Sequence, residues 1–250
     1  MKDGDHRLLR AAGSMSAMTM LSRIAGYFRD RLQADLLGAA ATHSGDAFVI
    51  AYRIPNLLRR LVAEGALTSA FVPTFTRYMK EKNEAEMWRF AASVGTVLTA
   101  VLGILVVLGI LLSPLIVHGL AWGYADTPGK IDLTVALNRV MWPYLFFISL
   151  AALAAAILNA FGSFALPAFT PVLLNLSIIA CALLFRHSFR DPAYALATGV
   201  LVGGMLQLAI QIPALARHGF RFVVPRPLDR EGVREVGRLV LPRRVFTPVP

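Results

Sequence analysis

Long runs of apolar residues, separated by short polar segments, predict six helices that cross a lipid bilayer. A helix of about 20 apolar residues spans the hydrocarbon core, and each run is near this length or longer. The run from Phe90 to Val117 contains no charged residue and is the clearest of these signals. The pattern therefore predicts an all-α integral membrane protein built as a six-helix transmembrane bundle. The predicted spans cover approximately residues 8–37, 46–79, 90–120, 133–161, 166–185 and 193–216.

Prolines and glycines predict where these helices bend or approach each other closely. Span two begins near Asp46, a good N-cap residue, and is too long to be one straight helix. It contains Pro55 and Pro73, which remove backbone donors and favour kinks. Span six carries glycines that permit close helix contact, namely Gly199, Gly203 and Gly204.

The end of the sequence does not continue the pattern of complete spans. The segment from Pro227 to Arg238 is basic and predicted to be amphipathic, and an apolar run that starts at Leu239 stops within a few residues. We interpret this as a seventh helix that begins and is lost, as in a truncated or frame-shifted gene; a naturally short tail is the alternative. The predicted domains are a six-helix transmembrane lobe, 1–217, and a cytoplasmic basic segment with the aborted seventh helix, 218–250.

Composition supports the membrane interpretation. Hydrophobic residues make up 56% of the chain and charged residues 16%, whereas soluble domains contain about 25% charged residues. The net charge of +10 could indicate nucleic acid, but membrane proteins collect Lys and Arg on their cytoplasmic side, and no nucleic-acid partner is predicted. The basic residues precede span one, separate spans two and three, and follow span six, so both ends are predicted to face the cytoplasm. Arg186 and Arg190 are an exception.

The sequence offers no pattern typical of a cofactor, metal or disulfide site. Its single cysteine, Cys181, lies in an apolar run and cannot form an internal disulfide. No pair of its five histidines has the spacing of metal ligands. We therefore predict no cofactor and no metal.

Charged residues inside the first two spans need an explanation, because a charge near a bilayer centre costs roughly 3 kcal/mol or more. Four-residue spacing predicts neutralising pairs at Arg31 with Asp35 and at Arg60 with Glu64. In span two, seven-residue spacing places Asp46, Arg53 and Arg60 on one face.

Three arginines, Arg23, Arg29 and Arg59, have no obvious neighbouring acid in the sequence. We interpret them as lining a hydrated cavity in which guanidinium groups hold phosphate oxygens in pairs; snorkelling at the membrane edges is the alternative. A diphosphate fits this chemistry without a metal, although periodicity alone does not identify the ligand. Other polar residues inside spans are expected to form interhelical hydrogen bonds rather than to contact substrate: Asn159, Asn175, Gln207 and Gln211.

Several motifs carry a resemblance to a known family. They are the segments 16–30, 46–48, 55–64 and 70–73, followed by Ile157-Leu-Asn-Ala-Phe and Pro167-Ala-Phe-Thr-Pro-Val-Leu-Leu-Asn175. Over about residues 8–240 the sequence resembles the MurJ (MviN) family of lipid II flippases, in the multidrug, oligosaccharidyl-lipid and polysaccharide exporter superfamily. The first two blocks are the most specific.

The resemblance implies the N-terminal lobe of a two-lobed, fourteen-helix flippase in the bacterial inner membrane. Such a protein moves lipid II, the undecaprenyl-diphosphate-linked peptidoglycan precursor, outward by alternating access, with membrane lipids and the peptidoglycan-synthesis machinery as further partners. By motif, the resemblance implies substrate binding by Arg23, Arg29 and Arg59. It implies an outer-gate role for Asp46 and gating or supporting roles for Ser22, Asp30 and Glu64. A further cavity arginine in the family's eighth helix has no counterpart among these residues.

Two other functions remain as alternatives. A related exporter could carry another lipid-linked oligosaccharide or a drug. A membrane enzyme acting on a polyprenyl diphosphate would need clustered acids that hold a metal, or a suitably placed histidine. Because the acids are dispersed along the chain, the sequence favours a transporter over an enzyme.

Overall fold

In the described part of the chain the regular secondary structure is all helical, and no strand occurs. The computed structural model describes residues 2–38, 44–60, 67–124, 127–221 and 223–240, and the statements below concern these residues. The helices are α1 (Lys2–Gly38), α2 (Ser44–Arg59), α3 (Leu67–Glu81), α4 (Glu84–Leu120), α5 (Lys130–Ala160), α6 (Ala165–Phe185), α7 (Ala193–Ala209), α8 (Ile212–Arg217) and α9 (Arg230–Val240), with a short 3-10 turn at Trp122–Tyr124.

The central helix of the bundle is α5. It packs against α2, α4 and α7, while α6 packs on α7 and α1 packs mainly on α6. Three apolar clusters form the interior, and α5 contributes a fully buried leucine to each of them: Leu137, Leu145 and Leu158. A helix that is buried on several faces must be apolar around most of its circumference, which explains why a hydropathy pattern identifies α5 as a span.

Among the residues that the structure describes, four helical segments are long and apolar enough to cross a membrane: Glu84–Leu120, Lys130–Ala160, Ala165–Phe185 and Ala193–Arg217. They correspond to predicted spans three to six. Predicted span one lies in α1, and predicted span two is divided into α2 and α3, with residues 61–66 between them outside the described residues. The predicted seventh helix begins at Leu239, near the end of α9, and its continuation from residue 241 also lies outside the described residues.

Two prolines inside helices leave carbonyl groups without their usual backbone donor, and side chains of a neighbouring helix supply it. A proline at position i cannot donate to the carbonyl of residue i−4. Pro55 leaves the carbonyl of Ala51, which accepts from Asn138 Nδ2 at 2.9 Å. Pro114 leaves the carbonyl of Ile110, which accepts from Arg139 Nε at 3.3 Å. Both donors lie on α5, so α5 satisfies the two carbonyl groups that lack a backbone donor in α2 and α4.

The glycines of α7 permit the close contact that the sequence predicts. A Cβ atom at Gly199 would lie 2.6 Å from the Ile178 Cα atom of α6, and one at Gly204 would lie 2.7 Å from the Tyr144 ring of α5. No real Cβ can approach a backbone atom this closely, so α7 reaches its position between α5 and α6 only because these residues have no side chain.

We expect the substitution Gly199→Leu to destabilise the protein by about 1–3 kcal/mol or more, because α6 and α7 must separate to accommodate it. Thermal unfolding of the purified protein in detergent would measure the loss. Gly103→Leu is the matched control, since nothing lies within 4 Å of a Cβ atom added at this position of α4. Equal stability of the two variants would contradict the close packing of α6 and α7.

One end of the bundle is closed by α9, which packs against α3 and α4. Asp229 accepts from the Gly232 N–H at 2.9 Å and so caps the start of α9, and its own N–H donates to Ser93 Oγ at 2.9 Å. Arg77 of α3 forms an ion pair with Glu235 at 2.6 Å. These contacts place the basic segments around residues 77–89 and 230–238 at the same end of the bundle.

Candidate functional site

A polar cavity of about 280 Å³ lies between α1 and α2 and also touches α6 and α7. The polar residues of its lining are Arg29, Asp30, Gln33, Tyr52, Arg53 and Asn56. Arg29, Asp30 and Gln33 are spaced at i, i+1 and i+4 on α1. Tyr52, Arg53 and Asn56 have the same spacing on α2, so each helix presents one face to the cavity. Two guanidinium groups from different helices therefore share this cavity.

Arg29 is held in place by an amide on a neighbouring helix. Its Nη1 atom donates to Asn175 Oδ1 of α6 at 2.8 Å, and Asn175 Nδ2 donates to the Ser22 carbonyl at 3.0 Å. A Cβ atom at Gly26 would lie 3.6 Å from Asn175 Nδ2, an ordinary contact distance, so the amide lies directly beside α1 at this residue. Asn175 thus links α6 to α1 and fixes the direction of the guanidinium group.

Arg29 also has an acidic partner, so the prediction that it lacks one was wrong. Its Nη2 atom lies 2.6 Å from Asp30 Oδ1, and Nε donates to the same oxygen at 3.0 Å. Adjacent residues on a helix point about 100 degrees apart, which is why the sequence did not indicate the pair. The arginine side chain is long enough to turn back along the helix surface. Its side chain is 26% exposed, whereas that of Asp30 is 66% exposed.

Arg59 lies beside the cavity rather than in its lining. Its Nε atom donates to Asn56 Oδ1 at 3.0 Å, and Asn56 lines the cavity. Arg53 lines the cavity directly, although its seven-residue spacing predicted only a charged stripe with Asp46 and Arg60. The spacing of Val49, Tyr52, Arg53 and Asn56, at i, i+3, i+4 and i+7, is the signal that could have identified it.

The structure does not bring Arg23 into this cavity. Arg23 is exposed and lines a separate open groove on α1, together with Met15, Ser16, Thr19 and Met20. Six residues separate Arg23 from Arg29, so their side chains leave α1 in directions about 120 degrees apart. The third predicted arginine therefore stands apart from the other two.

Asp46 takes part in a polar cluster at the start of α2. Its Oδ2 atom lies 2.7 Å from Lys130 Nζ of α5, and the lysine side chain is 8% exposed. The same ammonium group lies 3.8 Å from the centre of the Tyr124 ring, and the Tyr124 hydroxyl donates to the Asp46 carbonyl at 3.3 Å. Burial, and then the Asp46 carboxylate, raise the pKa of the Tyr124 phenol. This cluster joins the first turns of α2 and α5.

The remaining predicted polar residues have mainly structural contacts. Arg31 and Asp35 form the expected pair at 3.4 Å, with both side chains exposed, and such pairs contribute little stability. Gln207 donates to the Thr170 carbonyl and Gln211 to the Ala151 carbonyl, as interhelical bonding predicts. Asn159 is exposed. Glu64 and its expected pairing with Arg60 lie outside the described residues.

The charges at the cavity favour an anion that offers several oxygens. Arg29, Arg53 and the Asp30 carboxylate line the cavity. Arg59 is linked to the cavity by its hydrogen bond to Asn56. Guanidinium groups present paired N–H donors that match phosphate geometry. No group of three His, Cys, Asp or Glu residues that could hold a metal ion occurs in the described part of the chain.

Comparison with known families and sequences gives a consistent result. The family described as "Lipid II flippase MurJ" matches residues 33–247. The "Lipid II flippase MurJ" of Burkholderia cenocepacia is 42% identical over 210 residues, which cover 84% of this chain and 40% of that protein. The "Probable lipid II flippase MurJ" of Vibrio cholerae is 38% identical over 246 residues, which cover 94% of this chain and 46% of that protein. The chain thus spans less than half the length of these relatives.

Solved structures give a similar picture. The structure titled "Lipid II flippase MurJ, inward closed conformation" superposes with a TM-score of 0.71 at 29% identity, covering 90% of this chain and 46% of that one. A transporter of the MOP superfamily from Pyrococcus furiosus superposes with a TM-score of 0.66 at 15% identity, covering 92% of this chain and 50% of that one. At this identity the second match concerns the fold alone.

Proposed function

The chain belongs to the family of the lipid II flippase MurJ, and on this basis we propose that it forms one lobe of a lipid II flippase. In this proposal the chain carries part of the path by which a polyprenyl-diphosphate-linked peptidoglycan precursor crosses the bacterial inner membrane. The membership and the four apolar helices make it a multi-pass membrane protein. Its relatives are more than twice as long, so transport by alternating access would involve two lobes that move around a shared site.

The convergence of Arg29 from α1 and Arg53 from α2 on one cavity is the observation that carries this proposal. A diphosphate offers several anionic oxygens and can bridge guanidinium groups on two helices. Arg59 lies next to this cavity through Asn56, where a long side chain can reach the same ligand. We assign substrate binding to Arg29 and Arg59, and we add Arg53 to these substrate-binding residues. Arg23 lies in its own groove, and we retain it as a residue that contacts the substrate on its path of entry.

Asp30 acts in this proposal as an exchangeable partner of Arg29. Without ligand it accepts two hydrogen bonds from the guanidinium group. Because it is largely exposed, the pair contributes at most about 1 kcal/mol, whereas charge-assisted bonds to phosphate are stronger. A diphosphate can therefore displace Asp30 at low cost. Asn175 keeps the guanidinium group in position during the exchange.

We propose that the bundle crosses the membrane six times, through α1, α2 with α3, α4, α5, α6, and α7 with α8. The arginines of α1 and α2 lower the hydropathy of the first two spans, which is expected of helices that border a hydrated path. The basic residues around 77–89 and the arginines of α9 lie at one end of the bundle, joined by Arg77 and Glu235. By the positive-inside rule this end faces the cytoplasm, with the N-terminus.

The Asp46 cluster then lies at the opposite, outer end of α2. Seven residues separate Asp46 from Arg53, which corresponds to a rise of about 10 Å along the helix. The ion pair with Lys130 joins α2 to α5 beyond the cavity. We propose that it helps close the outer side, with Ser22 as a support, since its carbonyl holds Asn175. Glu64 keeps its proposed supporting role.

Binding of defined lipids to the purified chain tests this function. Native mass spectrometry would compare undecaprenyl diphosphate, undecaprenyl monophosphate and lipid II. We expect the diphosphate and lipid II to bind about tenfold more tightly than the monophosphate, because one further charge-assisted contact is worth about 1.4 kcal/mol or more. Equal affinity for the monophosphate and the diphosphate would refute the proposed grip. Equal affinity for lipid II and for other lipid-linked oligosaccharides would favour the broader exporter alternative.

A further inference from the structure

A second cavity, of about 330 Å³, lies away from the arginine cavity and has an almost entirely apolar lining. It is bordered by α4, α5, α7, α8 and the segment that follows α8. The side chains that define it include Thr96, Leu150, Ala154, Ile157, Leu215 and Val224. It shares no lining residue with the cavity of Arg29, and neither α1 nor α2 contributes to it. It is therefore a separate feature, which we call the α4–α8 groove.

The α4–α8 groove lies within helices that are apolar enough to cross the membrane. Its α4 residues fall between positions 92 and 99, in the third to fifth turns of a helix that begins at Glu84. The apolar part of the groove therefore extends from the cytoplasmic boundary into the hydrocarbon region, in the orientation proposed above. A groove at this depth is accessible to lipid chains.

The mouth of the groove is basic. Arg221 is the charged residue of the lining. Arg221 is exposed and, within the described ranges, forms no ion pair with a carboxylate. Arg217 and Arg226, on either side of it in sequence, are also exposed but lie outside the lining. Val223 and Val224 beside it are 66% and 58% exposed. An apolar groove, exposed valines and a cationic rim together match a molecule with an apolar chain and an anionic head.

We propose that the α4–α8 groove binds an anionic glycerophospholipid, with one acyl chain between α4, α5 and α8 and the headgroup phosphate on Arg221. The positive charge of Arg221 favours an anionic lipid over a second copy of the chain. A second copy would bring its own Arg221 close to this one, and the two like charges would repel each other. Cationic residues at the cytoplasmic surface attract anionic lipids, at about 1 kcal/mol for each Lys or Arg. The site does not depend on the transported substrate, because it contains none of the residues assigned to that substrate.

Trp88 provides a natural probe of the groove. Its ring lies 5.6 Å from that of Phe220, and Phe220 is part of the lining. Trp122 is 81% exposed and lies in the loop at the far end of α4, so Trp122→Phe removes a background signal without affecting the core. The experiment titrates this variant in vesicles with phosphatidylglycerol brominated on its acyl chains, and in parallel with phosphatidylcholine brominated in the same way. Trp142, which is 2% exposed, also remains, so the double variant Trp88→Phe/Trp122→Phe is titrated in the same way and its quenching is subtracted to leave that of Trp88.

We expect brominated phosphatidylglycerol to quench Trp88 at about fivefold lower mole fraction than brominated phosphatidylcholine, from the single additional contact at Arg221. Arg221→Gln should abolish this preference. Arg217→Gln is the matched control, because it removes the same charge from an exposed residue outside the lining, and it should keep the preference. Thr96→Phe, which fills the groove, should reduce quenching by both lipids.

Three results would overturn the proposal. Equal quenching by the two lipids in the Trp122→Phe protein would show that the groove is an apolar surface with no preference for an anionic headgroup. Loss of the preference in Arg217→Gln to the same extent as in Arg221→Gln would indicate a general surface charge effect. Unchanged quenching in a folded Thr96→Phe protein would place the lipid elsewhere. Thermal unfolding of each variant checks that it is folded, and Arg221→Gln alters an exposed side chain with no core contact to lose.

Discussion

Arg29→Ala is expected to weaken binding of undecaprenyl diphosphate to the purified protein by about tenfold to a hundredfold. Hydrogen bonds to charged groups contribute about 1.5–3 kcal/mol, and each 1.4 kcal/mol corresponds to a factor of ten in affinity. The guanidinium group is partly shielded from water and fixed by Asn175 at 2.8 Å. Little side-chain entropy is therefore lost when a phosphate binds, and most of the interaction energy appears as affinity.

Two further variants separate charge, geometry and general effects at this site. Arg29→Lys keeps the charge but cannot present a planar pair of donors, so it should bind with intermediate affinity. Arg31→Ala is the control, because Arg31 is exposed and paired with Asp35, away from the cavity lining. Titration followed by native mass spectrometry measures all three. Retention of full affinity by Arg29→Ala, or an equal loss in Arg31→Ala, would show that this cavity does not hold the diphosphate.

Asn138→Leu is expected to lower the free energy of unfolding by about 3 kcal/mol. Asn138 is completely buried, and its amide donates to the Ala51 carbonyl at 2.9 Å while its oxygen accepts from Trp142 Nε1 at 2.9 Å and from Ser113 Oγ. Leucine has the same number of side-chain heavy atoms in a similar branched arrangement, but it leaves the Ala51 carbonyl and the Trp142 N–H without these partners. Each buried group that loses its partner costs about 1–3 kcal/mol.

Asn159→Leu provides the comparison for this prediction. It is the same substitution on the same helix, at an exposed residue, and it should change stability little. Thermal unfolding in detergent, followed by circular dichroism, would distinguish the two variants. If Asn138→Leu unfolded at the same temperature as Asn159→Leu, the network around Asn138 would not stabilise the contact of α2, α4 and α5.

The arginine site shows the limit of sequence periodicity. Periodicity assigns a side chain to one face of its own helix, so it predicts the direction in which Arg29 and Arg53 each leave the helix axis. Whether the two faces meet depends on how α1 and α2 are rotated by their packing on α6 and α5. This packing brought Arg53 to the cavity and left Arg23 in its own groove. The reach of a flexible side chain, as between Arg29 and Asp30, is also invisible to a periodic pattern.

The sequence by itself determined the apolar spans of α4 to α7, the glycines that let α7 pack closely, and membership of the family. These follow from hydropathy and local backbone chemistry, which neighbouring residues along the chain decide. Only the tertiary structure decided which polar groups meet. Asn138 supplies the donor that Pro55 cannot give to Ala51, and Asn175 orients Arg29 from a helix about 146 positions away in sequence. Such contacts depend on the relative rotation and spacing of whole helices, which are set when the bundle packs together.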